Sequence, residues 1–435
     1  MKKTIGNIVR ILAWTVLGII VILLVVSVLI QTRPVKNKLA DVAEKQSKKF
    51  INGELAIGKI DGNFFSGIEM ENILLTYEAD TIAFISGFKA SYNLWPLVQG
   101  KIEVPELIIN NPYFYLEQYP DSTWNVQKLL KEKDTPQDTA QKSTSINLSV
   151  PHFEIISADF KINAIDTVIP QRVDNLKINL SASWSDEQQE VNLKHFSLVT
   201  EEPDFRLDQL SLRVERNTDY FQLSDFYVKT AKNSIDGNGT YRSEPTVKGQ
   251  ATIETSEVYL NEFEYFLPDF KLAANPVVTL NGDFKNDSAF IQINLTDNEQ
   301  AIAVDLVSSN LVDFITKSSD VKLEYTISLK LENVELDYWL GNPELDYMLN
   351  GDINAIGTGT DPAGAQLKLA GNFNSTEIKG EKLREVMLDF NANNGNVEGQ
   401  VSGKGKFGQF QINSNINNLL EMPEYTAEIR TGNLN

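Results

Sequence analysis

The chain has 435 residues, no cysteine, two histidines, and 39 basic against 59 acidic residues, a formal net charge of −20. Disulfides and thiolate metal sites are therefore excluded, and a metal site or catalytic triad built from histidine is not expected. The acidic balance argues against broad binding to nucleic acid or to anionic headgroups, because both require a basic surface.

The first element in chain order is an uncharged stretch at residues 11–30, flanked by basic residues on both sides. At a rise of about 1.5 Å per residue, a helix of this length crosses about 30 Å, the thickness of a bilayer's hydrocarbon core. No small-x-small cleavage site follows it, so we predict an uncleaved membrane anchor at residues 1–33. The charge flanks weakly favour a cytoplasmic N-terminus. The predicted anchor residues include Ile11, Trp14, Leu17, Ile20, Leu24 and Ile30.

Residues 34–52 carry apolar side chains at helical spacing, from Val35 to Phe50, with lysines on the other faces. This pattern predicts an amphipathic helix. It fits a helix lying on the membrane surface and, equally, a helix that covers the first part of a sheet.

From residue 53 the apolar period changes to two, which predicts short strands separated by turn residues. This β module runs to residue 131 and is expected to close with a short helix that starts after Ser122 and Thr123 and carries Trp124. Residues 132–146 are polar, contain Pro136 and lack periodicity. They predict a linker or loop and the best domain boundary in the chain.

Residues 147–435 form a repetitive β segment with alternating apolar and polar residues. Successive side chains of a strand point to opposite faces, so each such strand has one apolar face. The apolar face is predicted to include Leu176, Ile178, Leu180, Ile291, Ile293, Leu295, Val321, Leu323, Tyr325, Ile327, Leu329 and Leu331. A change of phase between Leu207 and Leu210 suggests a bulge.

Turns are predicted at the Asp-Gly of residues 236–237 and at three Asn-Gly motifs, beginning at residues 281, 350 and 394. Short helices are predicted near Val258, Leu311 and Leu336. The helices are too few to cover all the apolar sheet surface.

The motifs that could suggest catalysis are better explained as structural positions in turns, strands and the surface. The glycines of residues 357–360 lack the third glycine of a dinucleotide fingerprint, and those of residues 403–406 lack phosphate-loop spacing. His195 is expected at a surface or bulge position. We therefore predict no catalytic residue, no enzyme activity and no cofactor.

An ordered series of motifs lies within residues 1–131. The motifs are GKIDG at 58–62, FSGI at 65–68, TIAFI at 81–85, LWPL at 94–97, GKIEV at 100–104, LIINNP at 107–112 and WNVQKLL at 124–130. With the anchor before them, they resemble the N-terminal module of TamB-type proteins in the AsmA-like superfamily of diderm bacteria. The remainder resembles that family only in its short strands and periodic glycines. Members of the family are usually longer, and the counterpart of their C-terminal domain is not reached by Asn435, so we expect that the sequence is part of a longer protein.

The apolar strand faces require a cover. A closed barrel or a two-sheet sandwich would supply one internally, whereas an open sheet curled into a trough would leave an apolar lining. The fold class that we predict is mainly β: a transmembrane helix, then an elongated, curled antiparallel β-groove with a few short helices. At about 4.8 Å per strand, two dozen strands would extend about 110 Å.

Acyl chains suit such a lining, so bound phospholipid is expected. The resemblance implies a bridge-like protein anchored in the inner membrane, with most of the chain in the periplasm, that carries phospholipids between inner and outer membranes. The alternative is a non-conducting scaffold or chaperone that assembles outer-membrane proteins with an Omp85-type (TamA-like) barrel partner.

Overall fold

The structure is a computed structural model that describes residues 45–62, 66–78, 80–131, 147–166, 168–268, 270–316, 321–361, 364–406, 408–418 and 423–432. The predicted anchor, most of the predicted amphipathic helix and the predicted linker lie outside the described residues. Of that helix, residues 45–52 are described: Lys45 to Ser47 are helical, and the chain turns from Lys48 onward, before the predicted end. Over the ranges given, no helix is both long and apolar enough to cross a membrane. The chain divides into two compact units, Met1–Thr218 and Asp219–Asn435.

The first unit is a β-sheet in which neighbours in sequence are neighbours in the sheet. Its strands are β1 (Glu54–Asp61), β2 (Gly67–Tyr77), β3 (Asp80–Asn93), β4 (Lys101–Glu117), β5 (Asn147–Asn163), β6 (Arg172–Trp184), β7 (Gln189–Glu201) and β8 (Phe205–Arg216). All pairings are antiparallel except β4 with β5, which is parallel. A parallel pair needs a long crossover connection, and residues 132–146 are part of that connection.

The second unit is also mainly β, and its pairings are antiparallel. Its strands are β9 (Tyr220–Thr230), β10 (Ser234–Arg242), β11 (Lys248–Glu257), β12 (Val277–Lys285), β13 (Ser288–Asp297), β14 (Gln300–Ser308), β15 (Glu324–Glu335), β16 (Tyr347–Thr358), β17 (Gln366–Phe373), β18 (Thr376–Ile378), β19 (Glu381–Asn393), β20 (Asn396–Gly405), β21 (Gly408–Asn417) and β22 (Glu424–Gly432). Strands pair in chain order, with β16 contacting both β17 and β18, and β19 contacting both of these and β20.

Helices in the described residues are short. They are α1 (Leu94–Leu97), α2 (Asn125–Leu129), a 3-10 helix (Leu260–Phe263), α3 (Leu311–Thr316) and α4 (Leu336–Leu340). The helices predicted near Val258, Leu311 and Leu336 are thereby confirmed. The N-cap of α2 is Trp124, whose backbone N–H donates to the side chain of Gln127 at 2.8 Å, so the predicted start is one or two residues early.

Three of the four predicted turns are wrong. Gly237, Gly282 and Gly351 lie inside β10, β12 and β16, and only the Asn-Gly at residues 394–395 forms a turn. The sequence signal is ambiguous because glycine also occurs in a strand where another group approaches the backbone closely. At Gly351 a β-carbon would lie 2.8 Å from the Cα of Phe373 on β17.

The densest core of the first unit lies on one face of β1 to β4. Its buried side chains are Ile57, Ile68, Met70, Ile73, Ile85, Phe88, Ala90, Tyr92, Val104, Leu107 and Ile109. A second buried cluster, with Leu129 of α2 and Ile82 of β3, extends the packed region at one end. At β5 the side chains that contact this core, Phe153 and Ile155 among them, are only partly buried.

Part of the second unit is covered by α4 and by a segment formed by residues 258–268 and 270–276, called here the covering segment. Trp339 of α4 is 2% exposed, and its indole N–H donates to Gln300 at 2.8 Å. The backbone N–H of Ala273 donates to the carbonyl oxygen of Trp339 at 2.8 Å, which joins the covering segment to α4. These groups pack on Leu331, Phe373 and other apolar side chains.

Glu262 fixes the other end of the covering segment to the turn between β9 and β10. Its carboxylate accepts hydrogen bonds from the hydroxyl of Thr230 at 2.5 Å and from the backbone N–H of Ala231 at 3.0 Å. Asn233, which is 5% exposed, accepts from the backbone N–H of Tyr259 at 2.7 Å. The covering segment is therefore held at both ends by hydrogen bonds in addition to apolar packing.

Candidate binding surface on the apolar sheet faces

The register of the second unit aligns apolar side chains of successive strands in rows. On β13 to β16, one row contains Ile293, Val304, Leu329 and Ile353, each directly opposite the next. The row next to it contains Ile291, Leu306, Ile327 and Ala355. Directly opposite side chains share a face, so these rows form one surface, called here the second apolar face.

The second apolar face continues beyond β16. From Ile353 the same row passes through Gly371, Leu388, Val401, Ile412 and Ile429. On the other side of the sheet, the row Gln292, Asp305, Ser328 and Asn354 is polar. The row beside it, Phe290, Val307, Thr326 and Ile356, contains three exposed apolar side chains, so that side is mixed in character.

The predicted apolar-face residues of this unit come together as the alternation requires. Ile291, Ile293 and Leu295 lie on β13, and Tyr325, Ile327, Leu329 and Leu331 lie on β15, all on the second apolar face. Val321 and Leu323 precede the first residue of β15. Leu331 is buried under the cover, whereas the other residues named are half-buried.

A corresponding surface occurs in the first unit on β5 to β8, called here the first apolar face. Ile178 lies opposite Ile155 and Phe196, and Leu180 lies opposite Phe153 and Leu193. Leu176 lies opposite Ala158. The two rows continue to β8, where Leu210 lies opposite Phe196 and Leu212 lies opposite Leu193. The three residues predicted on β6 therefore share one apolar surface, separate from the residues predicted on β13 and β15, which belong to the other unit.

Burial distinguishes these surfaces from a filled core. Under β1 to β4 the apolar side chains are buried, with Met70 only 2% exposed. On the first apolar face, Ile178 and Leu180 are half-buried, as are Ile293 and Ile327 on the second. Each of these side chains keeps surface that a further apolar group can contact.

The pairings leave both sheets open within the described strands. Registers link β1 to β8 and β9 to β22 consecutively, and in those strands no register joins the first to the last of either unit. An open sheet has accessible faces and edges, unlike a closed barrel. The closed-barrel alternative is therefore absent from this part of the chain.

Six glycines of the second apolar face lie directly opposite aromatic residues, a feature that the sequence analysis missed. The pairs are Gly237 with Phe226, Gly249 with Phe284, Gly351 with Phe373, Gly357 with Tyr325, Gly399 with Phe390 and Gly403 with Phe410. A β-carbon at Gly357 would lie 2.6 Å from the ring of Tyr325, and one at Gly403 would lie 2.8 Å from the ring of Phe410.

These distances mean that the ring covers the backbone of the opposite strand. Glycine permits this approach because it has no side chain. The rings therefore lie along the sheet instead of standing away from it.

Bulges interrupt the strands at residues with positive φ. Ser157, Asn175, Asp225, Asn333 and Glu385 have φ between 52° and 57° and lie where the register shifts. A bulge bends its strand and increases the local twist. The irregular positions are thus sources of curvature in each sheet. The bulge predicted between Leu207 and Leu210 is confirmed, because residues 208 and 209 of β8 lie opposite the single residue 197 of β7.

The structure places the other motifs in strands and connections. His195 lies in β7 next to a register shift, and its Nε2 is 3.0 Å from the hydroxyl oxygen of Ser197. Over the described ranges, no three His, Asp or Glu side chains come together in an arrangement that could hold a metal ion. Compared with family models, curated proteins and solved structures, the chain matches none.

Proposed function

We propose that the two apolar faces bind the acyl chains of phospholipids and that the protein carries these lipids between membranes. The observation that supports this proposal is the half-burial of long apolar rows, such as Ile293, Val304, Leu329 and Ile353, on open sheets. Covering such a surface with an apolar ligand lowers the free energy, because apolar area is removed from water. No catalytic group is required for such a function.

Contact with acyl chains would contribute favourable free energy to binding. Removing a methylene group from water is worth about 0.8 kcal/mol when it is fully buried. About ten methylenes of an acyl chain lying on such a face would then contribute several kcal/mol even with one side still accessible. Because apolar contact is non-directional, the same rows can hold a chain at successive positions, which suits transport along a surface.

The proposal extends to an elongated, curled groove on a protein anchored in the inner membrane and crossing the periplasm. The bulges at Ser157, Asn175, Asp225, Asn333 and Glu385 support curling, since each bends its strand. The uncharged stretch at residues 11–30 supports the anchor, and the motifs within residues 1–131 support a TamB-type, AsmA-like protein. In this role it would carry phospholipids between the inner and outer membranes and support outer-membrane biogenesis.

A second candidate function is a scaffold that assembles outer-membrane proteins with an Omp85-type (TamA-like) partner. One observation favours it: within the described strands β22 pairs along one edge, with β21, and all nine of its residues are exposed. A strand with an unpaired edge can add a strand from another chain by β-augmentation. This function would depend on strand edges and not on the apolar faces.

The test begins with the full chain, purified and examined by native mass spectrometry for co-purifying phospholipid. A photo-crosslinking residue is then placed at Tyr325 or Leu180, on the apolar faces, and at Ser328, which lies between Asp305 and Asn354 on the other side of β15. Lipid adducts at the first two positions, with none at Ser328, are expected. Adducts at Ser328 alone, or no lipid at any position, would contradict the proposal.

A substitution pair separates binding from folding. Ile327→Glu puts a charge on the second apolar face, and Thr326→Glu puts the same charge at an exposed position on the other side of the same strand. We expect Ile327→Glu to abolish lipid transfer between vesicles while Thr326→Glu retains it. Urea unfolding of both variants shows whether the chain remains folded, and Ile327→Gln serves as a milder variant if Ile327→Glu does not fold. Transfer that survives in a folded Ile327→Glu protein would contradict lipid binding on this face and would favour the scaffold function.

A further inference from the structure

Three basic residues stand in register on the reverse side of the second unit's sheet, the side opposite the second apolar face. Arg242 of β10 lies opposite Lys248 of β11, and Lys248 lies opposite Lys285 of β12. Phe284, which precedes Lys285, belongs to the second apolar face, and successive side chains of a strand alternate, so this cation row lies on the reverse side. Adjacent strands are about 4.8 Å apart, so the three backbone positions span about 10 Å.

The charges of the cation row are not neutralised by neighbouring carboxylates. Over the described ranges, no acidic side chain forms an ion pair with any of the three residues. Asp283, two residues before Lys285, instead accepts a hydrogen bond from the side chain of Gln250 at 2.8 Å. Asp287, in the turn after β12, accepts one from the backbone N–H of Asp313 at 2.8 Å. Like charges directly opposite each other destabilise a sheet, so an anion bound beside the row would remove an existing repulsion.

The cation row borders a cavity of about 540 Å³, most of whose lining lies on the reverse side. This volume falls within the usual range of small-molecule sites, about 300–1,000 Å³. Hydrogen-bonding side chains contribute to its wall: Thr240 and Gln250 lie opposite each other, and Ser288 lies opposite Lys285. The cavity therefore combines cations with hydroxyl and amide groups.

Two apolar side chains complete the wall on the same side. Phe290 of β13 lies opposite Asp283 of β12 and opposite Val307 of β14. Phe290 is 40% exposed and Val307 is 46% exposed, so each keeps apolar surface that a ligand can cover. Phe290 is two residues from Ser288, about 7 Å along the strand, so the apolar part of the wall begins next to the cation row.

The charges of the cavity indicate the kind of ligand. Three cations and one carboxylate, that of Asp283, line it, which leaves a net charge of +2. A phosphate monoester carries a charge of about −1.5 to −2 at pH 7 and presents three acceptor oxygens. Arginine and lysine bind phosphate oxygens through charge-assisted hydrogen bonds. The cavity is thus complementary to such a group in charge and in hydrogen bonding.

We propose that the cavity beside Arg242, Lys248 and Lys285 binds the phosphate group of a small phosphate monoester whose apolar substituent contacts Phe290 and Val307. The site lies on the reverse side of the sheet, so it is separate from the surface proposed for acyl chains. It assigns a second kind of ligand to the protein, and its loss would leave the proposed function in place.

The test titrates phenyl phosphate and inorganic phosphate into the full chain by calorimetry at low ionic strength, because salt screens exposed charges. The test variant is Lys248→Gln, which removes the central cation. The control is Lys368→Gln, an exposed lysine on the same side that lies between Ile356 and Asn391. We expect phenyl phosphate to bind more tightly than inorganic phosphate. Lys248→Gln should weaken both about tenfold, as the loss of a hydrogen bond to a charged group implies, and Lys368→Gln should weaken neither.

A second pair of variants tests the apolar part of the site. Phe290→Ser should abolish the preference for phenyl phosphate and leave the affinity for inorganic phosphate unchanged. Ile356→Ser is the matched control, because Ile356 is 63% exposed on the same side of the sheet and does not line the cavity. This variant should keep the preference.

Four outcomes would overturn the proposal. Phenyl phosphate that does not bind the unaltered protein, or that binds Lys248→Gln and Lys368→Gln equally weakly, would remove the site. Equal affinities for the two phosphates in the unaltered protein would remove its apolar part. Short-chain phosphatidic acid is titrated separately, and binding tighter than that of phenyl phosphate would assign the site to a lipid headgroup instead. Urea unfolding without ligand is the folding control: Lys248→Gln should not lower the free energy of unfolding, since it removes a repulsion.

Discussion

The ring of Tyr325 on β15 lies over the backbone of Gly357 on β16, in the position that a side chain at Gly357 would otherwise occupy. The same relationship joins Phe390 to Gly399 and Phe410 to Gly403. Each aromatic side chain is thus held against the sheet by the absence of a side chain on its partner. The two residues of a pair form one unit of packing, so a substitution at either residue should change the packing of the other.

Gly357→Ala is expected to destabilise the protein by about 1–3 kcal/mol, because overpacking forces the Tyr325 ring out of its position. The matched control is Gly282→Ala on the same face, where the nearest atom to a new β-carbon, the Cβ of Ala251, would be 3.9 Å away. That change should be neutral or slightly stabilising, since alanine reduces the entropy of the unfolded chain. Urea unfolding gives both free energies.

A double-mutant cycle tests whether the effect passes through the ring. Once Tyr325→Ala has removed the ring, Gly357→Ala should cost little, so the coupling free energy should be about 0.5–3 kcal/mol. Additive costs would show that Gly357 is required for its backbone alone and would contradict the packing relationship.

Much of the sheet could be predicted from the sequence because a strand's alternation is local. The pattern around Tyr325, Ile327 and Leu329 predicts both the strand and its apolar face, and the structure places all three on β15 as expected. The parallel pairing of β4 with β5 was not predicted, since nothing in either strand's own sequence selects its partner's direction.

The glycine–aromatic pairs could not be predicted for a related reason. Gly351 packs against Phe373 on the next strand, and the Asn-Gly dipeptide that contains Gly351 has the same local signature as a turn. Only the register shows that an aromatic ring lies opposite. The candidate surface was therefore predicted as a set of apolar residues, whereas its rings, its bulges and the cover over one part of it depend on long-range contacts such as that between Trp339 and Gln300.

Trp339→Ala should destabilise the second unit by about 3–5 kcal/mol, the usual cost of removing a large buried aromatic side chain. Trp339 is 2% exposed, and its indole also donates to Gln300, so its loss removes both packing and a hydrogen bond. Trp95→Ala is the control, because Trp95 is 75% exposed and should change the free energy of unfolding by less than about 0.5 kcal/mol. If both variants lost the same free energy of unfolding in urea, tight packing of α4 and the covering segment on the sheet would be contradicted.

Glu262→Ala should loosen the covering segment at its other end. The change leaves the hydroxyl of Thr230, a residue 2% exposed, and the backbone N–H of Ala231 without the carboxylate that accepts from them. Of the two donors only the Thr230 hydroxyl is buried, and depriving a buried donor of its acceptor costs about 1–3 kcal/mol. Hydrogen exchange at Ala231 and Asn233 should accelerate. Glu264→Ala, at an exposed neighbouring position, should leave both rates unchanged; faster exchange in that variant would contradict a specific role for Glu262.

Alkaline pH should weaken the contacts that α4 and the covering segment make with the sheet. The phenol of Tyr338 donates to the carboxylate of Asp297 at 2.9 Å, and this hydrogen bond raises the pKa of Tyr338 above its ordinary value. Tyr259 donates likewise to Glu257, which raises the pKa of Tyr259. Because a raised pKa means that the folded state favours the protonated phenol, the contribution is complete below about pH 10, the ordinary tyrosine pKa, and is lost as pH rises through the folded-state values.

A variant with Tyr338→Phe and Tyr259→Phe should therefore lose less stability than the unaltered protein as pH rises above about 10. The free energy of unfolding, measured in urea at several pH values from neutral to strongly alkaline, gives the two slopes. Tyr425→Phe controls for the loss of a titrating tyrosine, since that residue is 78% exposed on β22. Identical slopes in the unaltered protein and the double variant would mean that ionisation of these two phenols does not loosen the cover, and that apolar packing around Trp339 holds it without them.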